Sequence, residues 1–289
     1  MFIVPTTQTL WRRLSDKWQL PGLNAAGSAG TSVSTLGVTT LGVTTLGVIA
    51  LGTILSAMLP TAVAGEPVAF DRPGIGFGTQ VLSAGQFSWE QGLPDFSRDR
   101  ADDGLALSYS ANTLWRFGLG KQLELQLASN IWNQQRGNLR ASGAGDSSVA
   151  LKMALPAVMT DIDWALRASY QHPTGQAPFR ADHNSQALAV SLSHAQSHGR
   201  SFSLFVEYGQ SKQAHSWTVS PSYTFYADEQ LSAYTELGWS DDPQSGSSAG
   251  AGGVWRLNPH WQLDLWFLRG LSSGATDWQT GLGLSFTPD

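Results

Sequence analysis

From Leu105 to Phe117 every second residue belongs to one set: Leu105, Leu107, Tyr109, Ala111, Thr113, Trp115 and Phe117. Alternation at period two is the signature of a strand with one greasy face. A half-buried strand of a soluble sheet usually spans about five or six residues. A strand that crosses a bilayer at a tilt needs about 9–11. This segment keeps its alternation over thirteen residues without a slip. It is therefore long for a soluble sheet and long enough for a membrane.

The same pattern recurs in twelve segments. They run over residues 87–91, 105–117, 123–131, 147–155, 164–172, 188–194, 202–210, 217–225, 231–239, 251–257, 261–269 and 278–286. On the more apolar faces of all twelve, only Arg269 is charged. Between them, on the other face, stand ten charges: Glu90, Arg116, Glu124, Lys152, Asp163, Arg167, Glu207, Glu236, Arg256 and Asp264. A water-facing sheet has no need of a charge-free outer face. A lipid-facing one does, because Arg or Lys at the bilayer midplane costs roughly 2–4 kcal/mol. An even strand count also suits a single-chain bacterial barrel. The fold class expected is all-β, a transmembrane antiparallel up-and-down β-barrel of about 12 strands behind an N-terminal signal segment.

Composition agrees with this reading. Charged residues make up 13% of the chain, against a usual share of about 25%. Lysine occurs only at Lys17, Lys121, Lys152 and Lys212. Such a chain lacks the charged surface of an ordinary soluble enzyme. The absence of cysteine removes disulfides, thiolate metal sites and cysteine nucleophiles together. A net charge of −5 with no basic stripe excludes nucleic acid as a partner.

The first 64 residues follow a different grammar. Arg12, Arg13 and Lys17 give a basic start. An apolar run from Leu36 to Leu59 is built on the repeat Leu36-Gly-Val-Thr-Thr, Leu41-Gly-Val-Thr-Thr, Leu46-Gly-Val-Ile-Ala. Ala62-Val63-Ala64 then offers the small-x-small pattern of a signal-peptidase site. Residues 1–64 are read as a leader, with a membrane-spanning helix as the competing reading and a later start codon as a further alternative. Cleavage there leaves 65–289, with 14 basic and 21 acidic side chains. Residues 65–84 form an N-terminal segment, either a plug folded into the lumen or a loose periplasmic tail. Residues 85–289 form the barrel.

Connections alternate in length. Short ones are expected at 118–122, 156–161, 195–200, 227–230 and 258–260, as periplasmic turns. Longer polar loops are expected at 92–104, 132–146 and 173–186. Phe117, Trp164, Phe202, Phe225, Trp255, Trp261 and Phe286 abut the short-turn side. Tyr170, Tyr208, Trp217, Trp239 and Trp278 lie toward the loops, which gives two aromatic girdles. Pro221 falls inside a segment, where a bulge or kink is expected.

Several stretches resemble a known family. They are Asp71-Arg72-Pro73-Gly74-Ile75-Gly76-Phe77-Gly78-Thr79, Gly85-Gln-Phe-Ser-Trp-Glu-Gln-Gly92 and Phe96-Ser97-Arg98-Asp99. Further ones are Arg116-Phe-Gly-Leu119 with Leu123-Glu-Leu125, His172-Pro-Thr-Gly175, Leu263-Asp-Leu265 with Arg269-Gly-Leu271, and Trp278 with Gly281-Leu-Gly-Leu-Ser-Phe286. Over residues 70–286 the chain resembles the outer-membrane "putative meta-pathway of phenol degradation" transporter family. The resemblance implies a barrel in the bacterial outer membrane that passes small aromatic or hydrophobic compounds. One departure is the ending, where Thr287-Pro288-Asp289 follows Phe286 instead of a terminal aromatic.

Twelve strands enclose a lumen between the side-chain-filled interior of eight and the aqueous channel of sixteen. Inward positions combine charges with rings: Trp132, Phe205, Tyr234 and Trp266 beside Glu207, Glu236 and Asp264. Together with Glu90, Arg116, Glu124, Lys152 and Arg167, all of these but Trp132 make the expected pore lining. They either form a constriction that stacks an aromatic solute or simply fill a small barrel. The first function expected is a passive outer-membrane channel for small hydrophobic or aromatic compounds. The alternatives are a non-transporting structural or adhesive barrel, and a lipid hydrolase using His172 with Ser169 or Ser191. No enzyme, cofactor or metal site is expected. His194 and His198 flank a turn, and Gly74-x-Gly76-x-Gly78 lacks the helix and lysine of a phosphate loop. The partners expected are outer-membrane lipid and lipopolysaccharide, the barrel-assembly machinery during insertion, and the solute. Arg98, Arg100, Arg136 and Arg140 are candidates for lipopolysaccharide phosphate.

Overall fold

The alternating segments become the wall of a closed antiparallel barrel. The computed structural model describes residues 68–288 except 102–103, 138–139, 213 and 243–245, so the leader expected over residues 1–64 lies outside the described residues. The strands are β1 (Phe87–Gly92), β2 (Asp95–Ala101), β3 (Gly104–Gly118), β4 (Leu123–Arg136), β5 (Ala141–Gly143), β6 (Ser147–Met159) and β7 (Ile162–His172). After them come β8 (Ser185–Ala195), β9 (Ser201–Ser211), β10 (His215–Ala227), β11 (Leu231–Ser240), β12 (Ser247–Arg256), β13 (Trp261–Gly270) and β14 (Trp278–Phe286). β1 and β2 are two halves of one wall strand, broken at Leu93-Pro94. Both pair with β3 on one side and β14 on the other. β5 is a short piece on the edge of β4 ahead of β6. The wall therefore has twelve strands, and the pairing of β1 and β2 with β14 closes it.

The strand parity sorts the two faces. Leu151, Leu188, Leu237, Leu265 and Leu282 are all about half exposed on the outer face, from 44% to 59%. In a membrane that face meets hydrocarbon, and the closed ladder leaves no unpaired edge inside it. Ring pairs mark both ends of the outer wall. Phe87–Phe117 and Trp261–Phe286 stack at 5.1 and 4.5 Å near the short turns. Phe96–Tyr109, Tyr208–Trp217 and Phe267–Trp278 stack at 5.2, 5.0 and 5.0 Å near the loops. Between its charged and aromatic side chains the inner face carries small residues, among them Ala165, Ala189, Ser191, Ser220, Gly252, Gly281 and Gly283. That leaves room for something other than wall side chains.

Three expectations need correction. Stretches 92–104 and 132–146 are largely strand, because β2 and the outer part of β4 extend the first hairpin beyond the loops expected there. Trp132 does not face inward. A β-bulge at Ile131 lets Asn112 pair with Asn130 while Ala111 pairs with Trp132, which flips the parity and puts Trp132 on the outer face. Pro221 causes no register shift. The ladder to β11 lapses at Ser220 and Pro221 and resumes in the same register, while pairing with β9 runs through. The missing N–H lies on the β11 side, and the bulge falls instead between Thr224 and Tyr226.

Beyond Phe286 the chain is pinned. Thr287 is buried, its N–H donates to the His260 carbonyl, and its Oγ1 donates to the Phe87 carbonyl at 2.8 Å.

Candidate functional site

The small inner face surrounds the segment before β1. Residues 69–82 run inside the wall and touch inward residues of β1 to β4, β6 to β9, β11 and β13. Asp71 is the hub. Its carboxylate accepts from Lys152 Nζ at 2.7 Å, Gln126 Nε2 at 2.8 Å and the Gly78 N–H at 3.2 Å, with Arg116 Nη1 3.8 Å away. The N–H groups of Asp71 and Arg72 donate to Glu90 at 3.0 and 2.8 Å. Arg116 grips Glu124 with Nε and Nη2, both at 2.9 Å, and donates Nη1 to the Ala69 carbonyl at 2.8 Å and to Glu90 at 3.1 Å. Glu124 also accepts the Leu82 N–H at 2.8 Å. Glu90, Arg116, Glu124 and Lys152 are all fully buried. A buried charge persists only when it is paired and hydrogen-bonded, and these four are.

Arg72 makes the second anchor. Its Nε and Nη2 reach the two oxygens of Asp264, both at 3.2 Å, and Nη2 also reaches Asp95 at 3.3 Å. Gln262 donates to the Arg72 carbonyl at 3.1 Å. Gly283 of the neighbouring strand leaves room for the Arg72–Asp264 pair. A Cβ there would lie 2.3 Å from Asp264 Oδ2 and 2.4 Å from Arg72 Nε.

The apolar part of the segment fills the next sector. Phe77 packs edge-on against Phe205 with centroids 5.6 Å apart, and the two share a small core with Ala165 and Ala189. The Arg167 guanidinium sits 4.2 Å over the Phe77 ring and Lys152 Nζ 5.2 Å over it, both in cation–π range. Arg167 pairs with Glu207 at 3.5 Å. Ser191 Oγ donates to the Phe77 carbonyl at 2.6 Å. Glu236 accepts the Ile75 N–H at 2.9 Å, and Tyr234 lies beside Gly74.

All eleven candidate lining residues thus lie on the inner face. Ten gather around residues 69–82, and Trp266 packs across from Gly281. Asp71, Arg72, Phe77, Asp95, Gln126 and Ser191 complete the arrangement and were not among the candidates. One signal for two of them was in the sequence: an Asp-Arg pair in an otherwise uncharged, glycine-rich stretch.

Above the segment lies a cavity of about 150 Å³. Its floor is Asp71, Arg72 and Glu90, its walls include Asn112, Leu114, Ala128 and Ser169, and Phe179 and Ala181 stand on the loop side. Asp146 holds that loop. Its carboxylate accepts from the Gly175 N–H at 3.0 Å, the Ala181 N–H at 2.9 Å and Gln171 Nε2 at 3.2 Å. Cavities of roughly this volume, when apolar, hold a benzene ring.

Burial pushes the Asp71 carboxyl up, but Arg116 and Lys152 outweigh it and hold the group well below the usual carboxylate range. Burial opposes the charge on Arg72, yet Asp264 and Asp95 prevail and raise its pKa. The hydrolase candidates do not converge. Ser169 lines the inner cavity and Ser191 is bonded to Phe77, whereas His172 is exposed and bonds Asn184 at 2.8 Å.

Residues 70–287 match the family model described as "Putative MetA-pathway of phenol degradation". Among solved structures, an outer membrane channel from Pseudomonas putida F1 is similar, with a TM-score of 0.60 at 12% identity, over 75% of this chain and 99% of that one. That likeness is one of fold. The KdgM porin aligns with a TM-score of 0.49 at 8% identity, over 71% of this chain and 99% of that one. The Pseudomonas putida toluene transporter TodX aligns with a TM-score of 0.40 at 7% identity, over 70% and 88%. No match is found among curated proteins.

Proposed function

Since the chain belongs to the family described as "Putative MetA-pathway of phenol degradation", we propose that it is a passive outer-membrane channel for small hydrophobic or aromatic compounds, gated by its own residues 69–82. The observation that carries this is the ring-sized cavity lying between the external loop 173–184 and that segment. A solute entering from the loop side meets Phe179 and small wall residues first, then the charged floor. Passage requires the segment to yield. Its anchors are mostly ion pairs and hydrogen bonds to the wall, which water can replace as they open.

The lumenal charge sets the preference. Asp71, Glu90, Asp95, Glu124, Glu207, Glu236 and Asp264 face Arg72, Arg116, Lys152 and Arg167. With carboxylates in excess, neutral phenols pass more readily than phenolates. No fuel is involved, and the reading is of a transporter rather than an enzyme. It brings two further partners, the barrel-assembly machinery and lipopolysaccharide.

The test is liposome swelling with the chain isolated from outer membranes. Neutral monoaromatic solutes should enter faster than their anionic carboxylate analogues. The filled lumen favours a second reading, a non-transporting structural barrel. That reading predicts no entry of any solute, even after Asp71→Asn has loosened the segment.

A further inference from the structure

Among the described residues the outer wall is bare of charge except in one sector. Among the described strands, four charged residues face outward: Arg98, Arg100, Arg136 and Arg269. All are cations, and they lie on β13, β2 and β4, separated in the wall by β14 and β3. Three of them share one register row. Arg269 stands opposite Trp278, Trp278 opposite Arg98, Arg98 opposite Leu107, and Leu107 opposite Arg136. The row crosses the wall at its loop end, where β4 and β13 finish and β14 begins. Two strand spacings put successive arginine backbones roughly 9–10 Å apart.

The side chains rest on rings. The Arg269 guanidinium lies 4.0 Å from the Trp278 ring centre and that of Arg136 5.5 Å from Tyr109. Arg100 stands one pleat repeat further out on the face of Arg98. Among the described residues no carboxylate pairs with Arg98, Arg136 or Arg269. The nearest acid along β2, Asp99, lies between Arg98 and Arg100 and by strand alternation belongs to the opposite face, and Asp95 points inward to Arg72.

Cations in a row, over rings, at the external rim need an anion held at the same depth. Aqueous phosphate does not dwell on an apolar wall, whereas a lipid headgroup does. Arginine's planar fork takes phosphate oxygens in pairs. A line of three forks matches a headgroup carrying more than one phosphate. We propose that this sector is a binding site for a phosphorylated glycolipid of the external leaflet, of the lipopolysaccharide class, with its acyl chains along β14 and β2. The site does not depend on what passes through the lumen.

The experiment uses the chain isolated from outer membranes in non-ionic detergent, titrated with bis-phosphorylated lipid A and with fully dephosphorylated lipid A, and read by native mass spectrometry. The phosphorylated form should bind the unaltered chain at least about tenfold more tightly, and inorganic phosphate should not displace it. Each of Arg98→Gln, Arg136→Gln and Arg269→Gln should weaken binding about fivefold, and the triple variant roughly a hundredfold. Arg200→Gln, in a short turn at the opposite rim, should leave binding unchanged. Equal binding of the two lipids by the unaltered chain overturns the proposal, and that comparison requires no variant to fold. A triple variant that binds normally, or an equal loss with Arg200→Gln, also overturns it.

Discussion

Asp71→Asn should release residues 69–82 from the lumen while leaving the wall closed. The substitution keeps the size of the side chain and removes one charge. Lys152 loses its 2.7 Å partner, and Arg116 loses a carboxylate at 3.8 Å. The side chain of Lys152 is fully buried and that of Asp71 is 7% exposed, so water cannot compensate without entering the lumen. Removing one partner of a buried ion pair costs about 3–5 kcal/mol. The cost falls on the docked state alone, because a released segment leaves Lys152 open to water. The released fraction should therefore rise by about two to three and a half orders of magnitude. Because the chain has no cysteine, a single Ile75→Cys on the segment reports release by its rate of maleimide labelling in vesicles. Labelling in the Asp71→Asn background should be at least about a hundredfold faster, with longer conducting events in planar bilayers. Unchanged labelling and conductance would refute the view that Asp71 holds the segment in place.

Acid should act in the same direction. Docking holds the Asp71 carboxyl below its undocked value of about 3.9, so its contribution is full above about pH 5 and declines as the pH falls below the undocked value toward the docked one. Around Asp71 stand Arg116, Lys152, Gln126, Glu90 and Glu124. Conductance should stay low from pH 7 to 5 and rise below about pH 4, and a rise between pH 5 and 7 would contradict this. On the outer wall, Leu265→Arg should destabilise the folded barrel by roughly 2–4 kcal/mol in denaturant titrations from lipid vesicles, because this 59% exposed leucine faces hydrocarbon. A loss below about 0.5 kcal/mol would mean that the face is not in the bilayer.

The wall was legible because burial on one side only imposes period two on every strand, as in Leu123 to Ser129 or Trp261 to Arg269. It failed where that constraint weakens. Asp95 to Ala101 alternates too, but arginines replace apolar residues on its outer face, so the segment reads as a loop although it pairs residue by residue with β3. The bulge at Ile131 leaves no mark in composition, and strict parity misplaces Trp132 beyond it. The inward placement of Glu124 or Asp264 follows from the parity of its strand. Their partners do not, because Arg72 and Asp264 are 192 residues apart and meet only when the sheet has closed. Nothing in the spacing of the charges says that Arg72 answers an acid on the penultimate strand.

Arg72 also bears on how such a cylinder is completed. Its guanidinium touches Asp95 on the opening wall strand and Asp264 on the last strand but one, with β14 between them. It therefore straddles the joint where the two chain ends are zipped together. A wall assembled in chain order makes that joint last, with this arginine already waiting inside. The stretch ahead of β1 thus acts as a dowel across the final seam, added to the ladder that β14 makes with β1 and β2.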